Sequence, residues 1–165
     1  MGRRHGVPWF PLDALKMALH RGAPALGVVP DGDDPATADA MWPFTETVLD
    51  HLVFEGRDYL VEGVNLRPAA VAAFIADSVD VRAVFLGYPD VDLAAKAEAV
   101  AAFAGPPTDW LLRTGPAHVA HYLGVSRELS RRLRDECAAV GLPFVDTGRD
   151  FTAGLSAAEE ALMRQ

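Results

Sequence analysis

Short β-rich segments that alternate with helical segments constrain the fold of this 165-residue chain more than any other feature. Each segment is apolar or β-branched, and each is followed by a stretch whose apolar residues have helical spacing. The segments cover residues 7–12, 59–64, 82–87 and 143–146. This alternation is typical of parallel sheets covered by helices, so we predict an α/β protein with three α/β/α layers and a mostly parallel sheet.

Prolines predict the order of these strands. Pro8 and Pro11 lie in the first segment and Pro143 opens the last, and proline donates no hydrogen bond to a ladder. We therefore expect 7–12 and 143–146 at the sheet edges, with 59–64 and 82–87 inside the sheet.

The helices are predicted from apolar spacing and from capping residues. Pro43 suits the first turn of a helix from about Met41 to Phe54, Ser126 is a candidate N-cap for a helix ended by Gly141, and Ser156 with Glu159 has capping-box spacing. The remaining predicted helices cover 13–20, 67–77 and 91–104. Gly- and Pro-rich connections at 21–38 and 104–118 have the composition of binding loops, and we predict one domain over 1–165 with a lid region at 104–125.

Composition excludes several classes of partner. The formal charge of −8 argues against a nucleic-acid or anionic-membrane surface, because both bind clustered Lys and Arg. Cys137, the one cysteine, cannot form an internal disulfide, and its place on an apolar helix stripe favours an inert core thiol over a nucleophile. Without a signal-peptide pattern at the start, these features favour a cytoplasmic protein.

Acidic and polar residues follow the predicted strands where ligands bind to open parallel sheets. They are Asp13, Glu62 with Asn65, and Asp146 with Thr147. Asp13 and Asp146 have an alternative role as caps of helices or turns. Glu62 fits that role less well, because it ends an apolar run and precedes Gly63, which permits close approach of another group.

Arginines recur on one predicted helix at the spacing i, i+4, i+7, as Arg127, Arg131 and Arg134. Such a row can bind phosphate through paired hydrogen bonds. It can also be a solvated face paired with Glu128, Asp135 and Glu136, which composition alone favours. Arg113 adds a cation in a loop bounded by Gly and Pro.

Signals for metal sites are weak. His118 and His121 have a usable spacing but no recognisable third ligand, and 30–35 has the acids of a calcium loop without its register. We therefore predict no metal-binding residues in the chain itself.

Several segments, taken in order, carry a resemblance to a known family. They are "HGVPWFPLDALK", "WPF", "YLVEGVNLRP", "VRAVFLG", the arginine-bearing helix and "GLPFVDTGRDF". This succession resembles the small-molecule kinases of the P-loop superfamily, and most of all the adenylate-kinase-like and 2-phosphoglycerate-kinase-like branch. In that family the strand order is second, third, first, fourth, fifth, and the four segments here match the second to the fifth.

The resemblance implies a P-loop NTPase fold whose first strand and phosphate loop, G-x-x-x-x-G-K-[ST], are missing from this sequence. We expect about 25 to 30 further residues upstream, the usual extent of a strand, a phosphate loop and half a helix. Asp13 then matches the acid that faces the phosphoryl acceptor, and Glu62 the acid near the substrate or the Mg²⁺ water shell. Arg113, Arg127, Arg131 and Arg134 match the lid arginines, and Asp146 and Thr147 the loop beside adenine.

The implied activity is transfer of a phosphoryl group from Mg-ATP to a small-molecule acceptor, weak or absent in residues 1–165 without the loop. ATP and Mg²⁺ are the implied cofactors, and a second copy of the chain is a candidate protein partner. One alternative is a non-catalytic domain that binds a nucleotide or a partner protein. Another is an α/β hydrolase that uses Asp13 and Glu62 with a metal ion.

Overall fold

The computed structural model describes residues 6–30, 35–102 and 111–164, and in them the chain forms an α/β protein. It divides into two compact units, residues 1–82 and 83–165. Within the described residues there are six α-helices and two small parallel sheets.

The first unit contains two strands and three α-helices. Strand β1 (Trp9–Pro11) runs directly into helix α1 (Leu12–Gly22), which is followed by a 3₁₀ turn (Pro24–Leu26) and helix α2 (Pro35–Phe54). Strand β2 (Leu60–Glu62) pairs in parallel with β1, with Pro11 opposite Glu62, and helix α3 (Pro68–Ala76) follows. Leu19, Val28 and Met41 form a buried cluster between α1 and α2.

The second unit repeats this alternation. Strand β3 (Phe85–Gly87) leads to helix α4 (Leu93–Ala102), and a 3₁₀ turn (Leu111–Thr114) precedes the long helix α5 (Pro116–Val140). Strand β4 (Phe144–Asp146) pairs in parallel with β3, and helix α6 (Phe151–Arg164) follows it. Helix α5 packs on β3 and buries Val119, Leu123 and Cys137.

Close contact between β3 and α5 depends on Gly87. A Cβ at Gly87 would lie 2.8 Å from the Cβ of Ser130 on α5 and 2.8 Å from Cζ of Phe144 on β4. Only hydrogen fits in that space, so glycine sets the distance between the helix and the sheet. The buried Thr147 then donates its amide N–H, at 2.7 Å, and its hydroxyl, at 3.0 Å, to the Gly87 carbonyl.

All the predicted strands are confirmed, although each is shorter than predicted. We predicted that 59–64 and 82–87 lie inside one sheet. In the described residues this prediction is wrong, because β2 and β3 belong to different sheets and each pairs with only one strand. Each sheet there has two strands, so every strand is an edge strand. Prolines mark edge strands but cannot tell how many strands a sheet contains.

Three helices begin five or more residues before their predicted starts. Helix α2 begins at Pro35 and contains Pro43, where the hydroxyl of Thr47 donates to the Pro43 carbonyl at 2.8 Å. Helix α5 begins at Pro116, so Ser126 is interior to it and not its N-cap. A proline in the first turn costs nothing there, because its missing N–H would have had no helical partner.

Helix α6 begins before its predicted capping box. Asp150 accepts a hydrogen bond from the Ala153 N–H at 2.9 Å and so caps the helix, which starts at Phe151. Ser156 lies inside the helix and donates to the Thr152 carbonyl at 3.2 Å. By contrast, the predicted end of α5 is confirmed, with Gly141 in the left-handed conformation at φ +74°.

Other predictions fall partly or wholly outside the described residues. Residues 104–110 of the predicted 104–125 lid region lie outside the described residues, while residues 116–125 form the first turns of α5. The acids at 31, 33 and 34 are also outside them. None of the helices in the described ranges combines the length and apolarity that crossing a bilayer requires.

Candidate functional site

Two carboxylates lie at the carboxyl end of the β1–β2 ladder. Asp13 is in the first turn of α1, two residues after Pro11, and Glu62 is the last residue of β2, opposite Pro11. Both strands are parallel, so their carboxyl ends bring these acids to the same edge. The prediction that Asp13 and Glu62 share a strand-end edge is consistent with this geometry.

Glu62 is exposed as a whole residue, yet the pKa of its carboxyl group is raised. Partial burial raises its pKa, the nearby charge of Asp13 raises that pKa further, and a hydrogen bond from the Trp9 side chain opposes both. Partial burial and the like charge of Asp13 both disfavour the ionised form of Glu62.

Lys16 completes this edge and was missed by the sequence analysis. Its Nζ lies 3.0 Å from Oδ1 of Asp13, while the lysine itself is 4 % exposed. A signal was available, because Leu12, Leu15, Lys16 and Leu19 share the spacing of one helix face. A lysine within an apolar stripe is unusual, since lysines are rarely buried without a partner.

The arginine row of α5 binds the loop that follows β3. The Nε–H of Arg131 donates to the Pro89 carbonyl at 2.8 Å, and Arg127 donates from Nη1 to the Val91 carbonyl at 3.4 Å. Arg134 Nη1 lies 2.9 Å from Oδ2 of Asp90. Consecutive loop residues are thus held by a row of arginines at helical spacing.

The row also makes ion pairs that belong to one of the two roles considered for it, the solvated face paired with neighbouring carboxylates. Arg131 and Arg134 do pair with neighbouring helix carboxylates, at 3.5 Å from Glu128 and 3.4 Å from Asp135. However, their shorter contacts run to the 89–91 loop. Arg113 lies in the 3₁₀ turn before α5, and its side chain is outside the described part of the chain.

Asp146 and Thr147 lie at the carboxyl end of β4, and both have structural partners. Oδ1 of Asp146 accepts the Gly148 N–H at 2.7 Å, which confirms its alternative role in a turn. Thr147 donates to Gly87, as described above.

An open cavity of about 330 Å³ adjoins this turn in the second unit. Its walls come from the loops after β3 and β4 and from the start of α4, namely Asp90, Val91, Asp92, Ala95, Asp146, Gly148 and Arg149. Asp92 also caps α4, accepting the Ala95 N–H at 2.9 Å. The arginine row holds one wall of this cavity, because it binds the loop that carries Asp90 and Val91.

Lys96 is a second lysine on an apolar helix face, in line with Leu93, Ala97 and Val100. Burial lowers its pKa, and the charge of Asp146 partly offsets that effect. Its Nζ lies 4.5 Å from the centre of the Tyr88 ring. Such a contact stabilises the cation against an aromatic face.

The described residues do not by themselves fit a triphosphate. Three carboxylates and one arginine line the cavity, and the arginine row is directed at the 89–91 loop. Within the described residues no cluster of three or more His, Cys, Asp or Glu side chains is arranged to hold a metal ion. His118 and His121 both lie on α5.

Cys137 is fully buried in α5, as expected for a core thiol. Burial raises the pKa of its thiol to about 11, with a smaller contribution from Glu136. A thiol of that pKa is protonated at neutral pH and is a poor nucleophile.

Comparison of the chain with protein-family models, with curated proteins and with solved structures found no match.

Proposed function

We propose that this chain contributes the acceptor-binding part of a P-loop-kinase-like phosphotransferase, which transfers a phosphoryl group from Mg-ATP to a small hydroxyl- or phosphate-bearing acceptor. Its sequence contains no G-x-x-x-x-G-K-[ST] phosphate loop, so the proposed activity requires such a loop from outside residues 1–165. The role assigned to the described residues is to bind and orient the acceptor.

The pairing of the strands is the observation that carries the proposal. The resemblance matches β1 and β2 to the second and third strands of the family, and β3 and β4 to the fourth and fifth. In the family order the second strand is next to the third, and the fourth next to the fifth. The observed parallel ladders, β1 with β2 and β3 with β4, have this pairing.

Polar groups at the strand ends give secondary support. Asp13 and Glu62 provide carboxylate oxygens that accept hydrogen bonds from an acceptor hydroxyl. Orientation of the acceptor and neutralisation of charge are the main contributions that a protein makes to phosphoryl transfer. The strand-end carboxylates of the first unit have the chemistry required for the first of these contributions.

A thermal-unfolding experiment tests the proposal. Residues 1–165 and a version extended upstream by a strand and a G-x-x-x-x-G-K-[ST] loop are each melted with and without Mg-ATP. At a nucleotide concentration 100 times Kd, the extended protein should gain about 2.7 kcal/mol of stability. The matched control carries the same extension with its loop lysine changed to methionine and should lose that gain.

Two outcomes would contradict the proposal. One is an extended protein that Mg-ATP does not stabilise. The other is vigorous ATP consumption by residues 1–165 without the extension, because that would place phosphate binding in residues to which we assign a different role.

The second candidate function is a non-catalytic binding domain, and the arginine contacts favour it. Arg127 and Arg131 donate to backbone carbonyls of the 89–91 loop, as structural arginines do. Titration of residues 1–165 with pyrophosphate, followed through the arginine Nε–H signals, separates the two roles. Signals that do not move at millimolar pyrophosphate favour the structural role.

A further inference from the structure

The cation of Lys96 contacts two aromatic rings that come from different segments of the second unit. Its Nζ lies 4.5 Å from the centre of the Tyr88 ring and 5.8 Å from the centre of the Phe151 ring. Both distances are within the range of about 6 Å over which a ring attracts a cation. Lys96 is on α4, Tyr88 directly follows β3, and Phe151 is the first residue of α6. One amine therefore connects three segments.

The same three segments form the walls of the cavity of about 330 Å³. On α4 the wall residue is Ala95, next to the lysine. After β3 the wall consists of residues 90–92, which follow the tyrosine closely. After β4 it consists of Gly148 and Arg149, just before the phenylalanine. The contacts of the amine consequently join the walls to one another at their bases.

The first turn of α6 depends on this contact more than the rest of the helix does. Phe151 is 52 % exposed, so burial of its apolar surface stabilises that turn only in part. The helix is anchored further along, where Gly154 and Ala158 are buried. The attraction between the ring and the Lys96 cation acts at the end of the helix that adjoins the cavity wall.

We propose that Lys96 is a charge-dependent latch, whose cation holds the first turn of α6 and the loop after β3 to α4 and so keeps the three walls of the cavity together. Without that charge, the first turn of α6 and the Gly148 wall before it separate from α4 more readily. The width of the cavity is thereby coupled to the charge of one amine. The latch does not depend on the proposed kinase function.

The test is amide hydrogen exchange in the wild type, in Lys96→Met and in Lys96→Arg. The reporters are the N–H of Gly148, which donates to Oδ1 of Asp146 at 2.7 Å, and the N–H of Ala153, which donates to Oδ1 of Asp150 at 2.9 Å. A cation–aromatic contact at a partly exposed site is equivalent to about a 2- to 5-fold change in an equilibrium constant, so both amides should exchange faster in Lys96→Met by that factor. Lys96→Arg keeps the charge and should exchange close to the wild-type rate.

Two controls make the result specific. The N–H of Leu142, which donates to the Cys137 carbonyl at 3.0 Å, lies at the end of α5 and should exchange at the wild-type rate in every variant. Glu98→Gln changes a charge on an exposed position of α4 and should leave both reporters unchanged.

Three results would overturn the proposal. The first is wild-type exchange of the reporters in Lys96→Met. The second is Lys96→Arg exchanging as fast as Lys96→Met, because charge would then not be the cause. The third is equal acceleration at Leu142, because the lysine would then stabilise the whole unit and not the cavity walls.

A second measurement leaves the lysine in place, in case Lys96→Met does not fold. Phe151→Leu removes the ring from α6 and should speed exchange at Ala153, whereas Phe151→Tyr keeps a ring and should not. Equal exchange rates in these two variants would overturn the proposal. Neither measurement uses a nucleotide, so failure here is separate from failure of the kinase proposal.

Discussion

Gly87→Ala tests whether glycine sets the distance between β3 and α5. The new Cβ would lie 2.8 Å from Cβ of Ser130 and 2.8 Å from Cζ of Phe144. Carbon atoms pack best at about 3.5–4.0 Å, so each contact is short by about 0.7 to 1.2 Å. The Cβ of Ser130 is part of the helix and cannot rotate away, so either α5 or β3 must move.

Overpacking of a buried site typically costs about 1–3 kcal/mol, and the rigid contact with Cβ of Ser130 places Gly87→Ala near the upper end. A loss of about 2 to 3 kcal/mol corresponds to a fall of roughly 4 to 12 °C in Tm for a chain of this size. Urea unfolding followed by far-UV circular dichroism gives the same quantity as a free energy.

Gly124→Ala is the matched control within the same unit. Gly124 lies inside α5, and an added Cβ would meet only Cδ1 of Leu93, at 4.0 Å. Alanine stabilises a helix interior by about 0.5–1 kcal/mol relative to glycine, so this variant should gain stability. A Gly87→Ala protein as stable as the wild type would refute the reasoning, because α5 would then not be held against β3 at the distance described.

Three further predictions concern side chains of the two units. Glu62→Gln should raise the free energy of unfolding above that of the wild type more at pH 7 than at pH 4. Because the folded protein raises the pKa of Glu62, the stability of the wild type is full below the unfolded pKa and falls as pH rises through the folded pKa, whereas glutamine stays neutral. Urea unfolding at both pH values measures the difference, and a larger gain at pH 4 would contradict it. Arg131→Ala should speed amide exchange at residues 90–92, because it removes the 2.8 Å bond to the Pro89 carbonyl, whereas the neighbouring Arg132→Ala should not. Equal exchange in the two variants would argue against a clamped loop. Cys137 should react with a disulfide reagent about 100-fold or more slowly in the folded protein than in urea, because its pKa is raised from 9.0 to about 11; comparable rates would show that the thiol is accessible.

The alternation of strands and helices was predictable because it depends on local pattern. Each β-rich segment contains its strand, and the burial of Cys137 followed from its place on a helix stripe. Helix starts were less predictable. Ser126 and Ser156 have the side chains of N-caps, but helix α5 already begins at Pro116 and α6 at Phe151, where a proline and Asp150 serve as the local start signals.

The candidate site was predictable in part. Strand-end positions indicated Asp13 and Glu62, since the carboxyl ends of parallel strands meet at one edge. The sequence did not indicate what Arg127, Arg131 and Arg134 bind, because Pro89, Asp90 and Val91 are about 40 residues away in the chain and come close only when α5 packs on β3.

The amino-acid sequence by itself determined that this chain forms short parallel strands joined by helices, because spacing of apolar residues and proline chemistry act over a few neighbouring residues. Only the tertiary structure decided which strands pair, that an arginine row binds the loop after β3, and that Lys16 is buried against Asp13. Those features depend on contacts between distant segments, and their energies arise from burial and charge once the segments have packed together.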